Sequence, residues 1–466
     1  MQTQCNMRPM EFPPLDRRRV EADFEGGAIS SNAGALLLGA TDKSINLIRR
    51  FAQCFTDWRD PAHTHHDVET MLAQRVFAIA LGYEDINDHD ELRLDPVVRT
   101  ALGRLEGKRK GAEPLAGKST LNRLEQAKAN PDDRYRKIGH DPQAIEALFT
   151  EAFLDAHQTP PTWITLDLDA TDDPIHGHQE GRFFHGYYDC YCYLPLYIFC
   201  GDHLLAARLR RANIDGAAGS VEEVARIVRQ IRARWPDVKI TLRADSGFAR
   251  DALMDWCENN GVDFVFGLAK NARLVCEIET ELAHAREEAE REGHPARRFK
   301  SFQYRTRKSW SRTRRVIRKA EWAPGRGEKG ANPRFIVTSI PSDGETDEGV
   351  GARRLYEEIY CARGEMENRI KECQLDLFAD RTSAASMRAN QLRLWFASMA
   401  YVLMSALRRL ALRATRLARA TCASIRDKLL KIGARVTVSV RRVRVSMASA
   451  CPHADVFSKA HERLCR

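Results

Sequence analysis

The sequence predicts a mixed α/β fold, preceded by a helical region and followed by a basic, mainly helical one. Three observations lead there. Short β-branched and aromatic runs bounded by turn residues recur between positions 162 and 268. Apolar residues return at helical spacing over 30–55, 68–81 and 221–235. The chain's 466 residues also leave room for two to four domains, or for one domain carrying a large insertion.

Charge narrows the partners. A formal charge of +9 and a pI near 9.0 favour a polyanion. From Arg408 to Arg444 twelve Lys or Arg stand against the single acid Asp427, whereas 85–95 is acidic. The twelve cysteines contain no C-x-x-C, and Cys190 and Cys192 share a face of an expected strand. Zinc motifs and disulfide frameworks therefore fit poorly, and the thiols read as reduced, in a cytoplasm. The first ten residues lack the apolar segment of a signal peptide. The longest uncharged apolar run, 394–407, is too short to span a bilayer and reads as a core helix, so no membrane partner is expected.

After a polar leader, Ala35, Leu38, Ile45, Ile48 and Ala52 share a helical face, and 68–81 repeats the pattern until Gly82 ends it. His63, His65 and His66 lie in a polar loop without the Cys or carboxylate spacing of a metal site, and read as solvated. Gly117-Lys118-Ser119-Thr120 imitates the end of a phosphate-binding loop. The glycine required five positions earlier is Ala112, and no apolar strand leads in, so no ATP site is expected. Ser119 and Thr120 read as caps of a helix over 121–127.

The middle is organised around 162–171, T-W-I-T-L-D-L-D-A-T, which follows Pro160-Pro161. Trp163, Ile164, Leu166 and Leu168 make it a buried strand, and a side-chain period of two puts Asp167 and Asp169 on one face. Buried carboxylates are costly unless hydrogen-bonded, paired or metal-bound, so this strand end is a candidate site. Aromatic β-runs over 182–189 and 191–200 follow, and 204–210 extends the meander. A helix over 221–235, a strand over 238–242 entering Arg243-Ala244-Asp245-Ser246-Gly247-Phe248, a helix over 249–259 and a strand over 264–268 complete a nuclease-type α/β order. Residues 271–333, an acidic helix followed by basic and aromatic strands, read as an insertion, after which a strand over 334–339 resumes the core. A helix over 353–372 aligns Tyr360, Arg363 and Glu367 on one face. A helix over 384–409 packs through Leu392, Trp395, Phe396, Met399 and Leu403, and a late strand over 436–445 ends the pattern.

Asp169, Asp245 and Glu367, two strand-end acids and one helical acid, are the oxygen donors that two divalent metal ions about 3.5–4 Å apart need for phosphodiester chemistry. The motifs around them, Asp169-Ala170-Thr171, Arg243 to Phe248 and Tyr360-x-x-Arg363-x-x-x-Glu367, resemble the D-x-T, second-Asp and Y-R-E motifs of bacterial insertion-sequence DDE transposases. Within that class the chain is similar to the insertion-sequence family catalogued as number thirteen-eighty. The stretches carrying that likeness are Gly82 to Asp88, Gly177 to Gly181, Tyr193-Leu194-Pro195-Leu196, Glu367 to Glu372 and Ala420 to Leu429.

The resemblance implies an RNase H-like catalytic core over 160–270 and 334–383, interrupted by a β-rich inserted domain over 271–333. It adds a helical DNA-binding region over 1–155 that recognises terminal inverted repeats, and a basic, mainly helical C-terminal region over 384–466. It implies that Asp169, Asp245 and Glu367 hold two Mg²⁺, with Mn²⁺ as a substitute, and that a homodimer joins transposon ends to target double-stranded DNA. Tyr360 and Arg363 would contact the DNA backbone or brace the Glu. The Lys expected seven residues after Glu367 is Gln374, and Lys371 is the nearest substitute. Asp167 stays open as a second acid or as the ligand itself. In the insertion, Trp310, Arg314, Arg315 and Trp322 belong to a cation-and-aromatic pattern that suits phosphates and a stacked base; the alternative is a solvated sheet face with two packing tryptophans. His176, His178 and His185 are open as proton carriers or as structural histidines. Two rival readings remain, a DNA-binding relative without catalysis and a nuclease without strand transfer.

Overall fold

The computed structural model describes residues 9–104, 114–128, 137–344 and 349–465; Ala112 and the first eight residues of the leader lie outside them. Two compact units emerge, residues 1–140 with 399–466, and residues 141–398.

In the first unit the helix expected over 30–55 is two helices, Ala35–Ile45 and Leu47–Gln53, because Asn46 between them takes a left-handed φ of 52°. The helix Val68–Ala80 is capped by Asp67, whose carboxylate accepts from the Thr70 N–H at 2.7 Å, and Gly82 beyond it has a φ of 90°. The helix Lys118–Glu125 corrects one expectation. Its N-cap is Gly117, so Ser119 and Thr120 lie inside its first turn, and the Lys118 N–H is satisfied by Asp90 at 3.0 Å. The late strand expected over 436–445 is a hairpin, Ala434–Val438 with Val443–Met447, and Ile29–Ser30 pairs along its edge.

The second unit begins with α1 (Pro142–Asp155) and β1 (Trp163–Ala170). β2 (Leu196–Cys200) and β3 (His203–Arg208) complete an antiparallel meander, then α2 (Ser220–Arg234) leads to β4 (Lys239–Ala244) and α3 (Asp251–Asn259) to β5 (Asp263–Leu268). α4 (Ala272–Cys276) and α5 (Glu279–Glu292) precede a long hairpin of β6 (Ala296–Tyr304) and β7 (Arg314–Trp322), and β8 (Arg334–Thr338) follows. All eight strands form one sheet in the order β3-β2-β1-β4-β5-β8-β7-β6. β1, β4 and β5 run parallel, as crossovers through α2 and α3 require, and every other pairing is antiparallel. The core is built from Leu166 and Leu168 of β1, Ile198 of β2, Leu242 of β4, Phe264 and Phe266 of β5, and the apolar face of α2.

Two segments differ from the sequence reading. The run over 191–200 breaks at Pro195, which has no N–H for a ladder. Cys190–Tyr193 therefore leaves the main sheet and pairs with Phe183–His185 and Asp173–Pro174 in a small sheet of its own. The stretch 271–333 forms no separate sheet either. Its hairpin pairs through β7 with β8 and widens the central sheet, with α5 packed across it.

Beyond β8 the chain is helical over 352–376, but unevenly wound. Leu355–Tyr360 is a π-helix, Cys361–Arg363 a 3-10 turn, α6 (Gly364–Lys371) is α-helical and Glu372–Asp376 is π again. π-Turns recur where a helix must aim side chains at a site. α7 (Met387–Leu410) follows. Among the described residues no helix is long and apolar enough to cross a membrane.

Candidate active site

The parallel pairing of β1 with β4 aligns their ends. Ala244 lies opposite Leu168, so Asp169 and Asp245 are the next positions on neighbouring strands. Asp245 closes β4 by capping a short turn, accepting from the Gly247 N–H at 2.8 Å. The helical run then adds Arg363 and Glu367 one turn apart, both half-buried. Asp169, Asp245, Arg363, Glu367, Lys371 and Gln374 line one cavity of about 570 Å³. Tyr360 faces a neighbouring cavity of about 430 Å³, which shares Asp245 and Ser246 with the first. Tyr360 gets there because Gly267 has no side chain: a Cβ on Gly267 would lie 2.7 Å from the Tyr360 hydroxyl and 2.8 Å from the Ser246 nitrogen.

Arg363 is the hub of the cavity. Its guanidinium donates to Glu367 Oε1 at 2.8 Å and reaches Asp169 Oδ2 at 3.3 Å, bridging two carboxylates from distant parts of the chain. Burial works against its charge, but Asp169, Tyr360, Glu367 and Asp245 outweigh that and hold its pKa above the ordinary value. Burial pushes the Asp169 carboxyl up to about 6; Arg363 opposes the rise, and the negative charges of Asp245 and Glu367 add to it. Three carboxylates brought to one cavity, with like charges raising the pKa of Asp169, form a site poised for a cation.

Asp167 shares the face of Asp169, but both its oxygens are engaged. Arg243, directly opposite on β4, donates to Oδ1 at 2.5 Å and to Oδ2 at 2.8 Å. The same guanidinium donates to the Ile359 carbonyl at 2.5 Å, tying the sheet to the π-turn that carries Tyr360. Burial raises the Asp167 pKa despite this pairing. Gln374 also has a structural bond, from its amide to the Asp172 carbonyl at 2.9 Å, which anchors the loop after β1. Lys371 is exposed on the cavity wall.

Among the described residues no three His, Cys, Asp or Glu side chains are gathered closely enough to ligate one ion. The donor chemistry nevertheless fits hard divalent cations, since three carboxylates converge on one cavity and a positive group, Arg363, already bridges two of them.

The four insertion residues lie elsewhere, and the expectation that they grip DNA meets a different geometry. β7 is an interior strand under α5, and its cations are paired inward. Arg314 is buried between Asp251 at 2.6 Å and Glu258 at 2.7 Å. Arg315 donates to the carbonyls of Ile340, Pro341 and Val350. Trp310 packs edge-on against Tyr304, and Trp322 is buried with its indole N–H on Glu290 at 3.2 Å. Both tryptophan rings are thus packed in the interior.

Of the three histidines after β1 only His185 lines the main cavity, beside Tyr187 and Tyr188, which the sequence reading did not single out. They sat in a run read as a strand, and the turn at Asp189, with a φ of 53°, is what brings them to the cavity. Arg243 was likewise given no role; the signal was its spacing, two residues before Asp245 as Asp167 is two before Asp169.

Residues 12–466 match the family model described as Transposase DDE domain group 1. No curated protein matches the chain. Among solved structures it is similar to a cryo-EM structure of the piggyBac transposase synaptic complex with hairpin DNA, with 13% identity, 85% of this chain and 79% of that chain covered, and a TM-score of 0.43.

Proposed function

We infer that this chain, which belongs to the Transposase DDE domain group 1 family, cuts double-stranded DNA at the terminal inverted repeats of an insertion sequence and joins the freed 3′ ends to target DNA. The observation that carries the reading is the shared cavity of Asp169, Asp245 and Glu367, three acids from three non-contiguous elements with one guanidinium between them. The order β3-β2-β1-β4-β5, an antiparallel meander continued by two parallel strands, supports an RNase H-like core over 160–270 and 334–383. Kinship with the insertion-sequence family catalogued as thirteen-eighty, a bacterial setting, recognition of the ends by 1–155, and action as a homodimer because two ends must be joined belong to the same proposal.

Asp169, Asp245 and Glu367 would hold two divalent cations, Mg²⁺ with Mn²⁺ as a substitute, which when bound supply activation of the attacking oxygen and stabilisation of the leaving one. The chain's own residues do the positioning. Arg363 offers a planar, two-pronged donor to phosphate oxygens, and in their absence it pairs with Asp169 and Glu367. Lys371 adds an exposed point charge on the same wall, where Gln374 carries none. Tyr360, held against Gly267, presents its hydroxyl beside the turn that carries Asp245. Asp167 and Arg243 fix strand to helix, so the acids on β1, after β4 and on α6 keep their relative placement.

The test is cleavage of a labelled duplex bearing the element's own terminal repeat, in Mg²⁺ or in Ca²⁺, by wild type and by Asp245→Asn. Nicking at the repeat boundary that needs Mg²⁺ and vanishes in the variant is expected. Specific binding without cleavage by wild type would refute catalysis.

A further inference from the structure

Several cations of the C-terminal region already have partners within the protein. Arg416 pairs with Asp455 at 2.8 Å, Arg426 donates to the Ala80 carbonyl at 3.0 Å, Lys431 donates to Asn32 at 2.9 Å, and Arg408 is buried beside the Cys422 thiol. The hairpin Ala434–Val438 with Val443–Met447 is different. Over 434–447 it holds Arg435, Arg441, Arg442 and Arg444 and no acid. All four are exposed, and among the described residues none of the four guanidiniums has a hydrogen-bond or ion-pair partner.

Register explains how they are displayed. Arg435 lies opposite Ser446 and Thr437 opposite Arg444, so two guanidiniums and two hydroxyls share one face of the ribbon. The other face, with Ala434, Val445 and Met447, packs on Ala33, Ile432 and Phe457. That packing fixes which side is outward. Arg441 and Arg442 lie in the turn, which closes through the Ser439 N–H on the Arg442 carbonyl at 2.8 Å, with Val440 exposed at its tip.

We propose that the outer face and tip of this hairpin form a docking surface for the phosphate backbone of double-stranded DNA. The partner follows from the chemistry. Four guanidiniums without internal counter-ions suit a regular array of phosphates, which Arg binds with two parallel hydrogen bonds. Beyond the short edge pairing with Ile29–Ser30 the hairpin is a two-stranded ribbon, of a width that the major groove of a duplex admits. No aromatic side chain lies within 434–447, so the stacking platform that a single strand would need is missing. The inference rests on the reading of the chain as a DNA enzyme, and adds to it a sequence-independent grip outside the carboxylate cavity.

The experiment compares the full-length wild type with the fourfold variant Arg435→Gln, Arg441→Gln, Arg442→Gln, Arg444→Gln. Affinity for a labelled duplex of arbitrary sequence is measured by anisotropy over a salt series without Mg²⁺. The slope of log K against log salt is expected to shallow by about 3 to 4, about 0.9 per phosphate contact. A control carrying Arg353→Gln and Arg354→Gln, whose side chains already face Glu357 and Glu358, is expected to keep the wild-type slope. The double variant Arg441→Gln, Arg442→Gln, confined to the exposed turn, is expected to shallow the slope by about 2, and it carries the test if the fourfold Gln variant fails to fold. An unchanged slope in the folded Gln variant overturns the proposal, as does a loss confined to anionic lipid vesicles with duplex binding intact. A wild type that shows the slope change but never cuts DNA in Mg²⁺ leaves the surface standing and overturns only the catalytic reading.

Discussion

Replacing Asp167 by Asn separates two roles that share one face of β1. The Asp167 and Arg243 side chains are 5% and 11% exposed, and their two bonds measure 2.5 and 2.8 Å. Removing one partner of such a buried pair costs about 3–5 kcal/mol, because the other charge is left without compensation. An Asn oxygen still accepts one of the two bonds, and Ile359 still accepts a third from the same guanidinium, which brings the expected loss to about 2–4 kcal/mol. Urea unfolding of the metal-free protein, followed by tryptophan fluorescence, reads that loss. A double-mutant cycle with Arg243→Met should return a coupling of about 1–3 kcal/mol. Cleavage by the folded fraction should fall far less than in Asp169→Asn. If Asp167→Asn unfolds within about 0.5 kcal/mol of wild type and yet abolishes cleavage, Asp167 is a ligand and the bracing role is wrong.

Three further outcomes follow from the same geometry. Asp169→Asn should stabilise the metal-free protein at pH 8. A carboxyl whose pKa rises from 3.8 to about 6 on folding contributes stability below 3.8 that is lost as pH passes through 6, about 3 kcal/mol in all, with the attraction of Arg363 already included. Unfolding at pH 8 and pH 5 checks this, and a gain as large at pH 5 as at pH 8 would contradict it. Trp322→Ala should cost about 3–5 kcal/mol in a thermal or urea melt while leaving duplex affinity of the folded protein unchanged. A tenfold loss of affinity at unchanged stability would restore a DNA role for this ring. Gly267→Ala should lower cleavage at least about tenfold, since the new methyl displaces either Tyr360 or the turn carrying Asp245, at a packing cost of about 1–3 kcal/mol. Wild-type turnover in this variant would mean that neither contact matters to the reaction.

Much of the second unit was legible because its signals are local. Alternating apolar residues and the Pro160-Pro161 break mark β1, and period two puts Asp167 and Asp169 on one side without any knowledge of neighbours. The alternation of strand and helix from β1 to β5 is a pattern of length and periodicity, read within one window at a time. What the sequence leaves open is set across the chain. Which Asp faces the cavity and which is tied up within the sheet depends on Arg243, 76 residues from Asp167 on the adjacent strand. The β7 arginines resemble an exposed basic face because the acids that neutralise them, Asp251, Glu258 and Glu281, lie on other helices. The hairpin of β6 and β7 reads as an insertion by charge and composition, whereas its edge pairing with β8 decides where it belongs. The caps at Ser119 and Thr120 failed for a similar reason, since the carboxylate on that helix comes from Asp90.

The most direct measurement is a Mn²⁺ titration by electron paramagnetic resonance in the presence of a duplex, on wild type, Asp169→Asn, Asp245→Asn and Glu367→Gln. The account predicts two bound Mn²⁺ in wild type and the loss of at least one in each variant. Equal Mn²⁺ occupancy in all four proteins would contradict it.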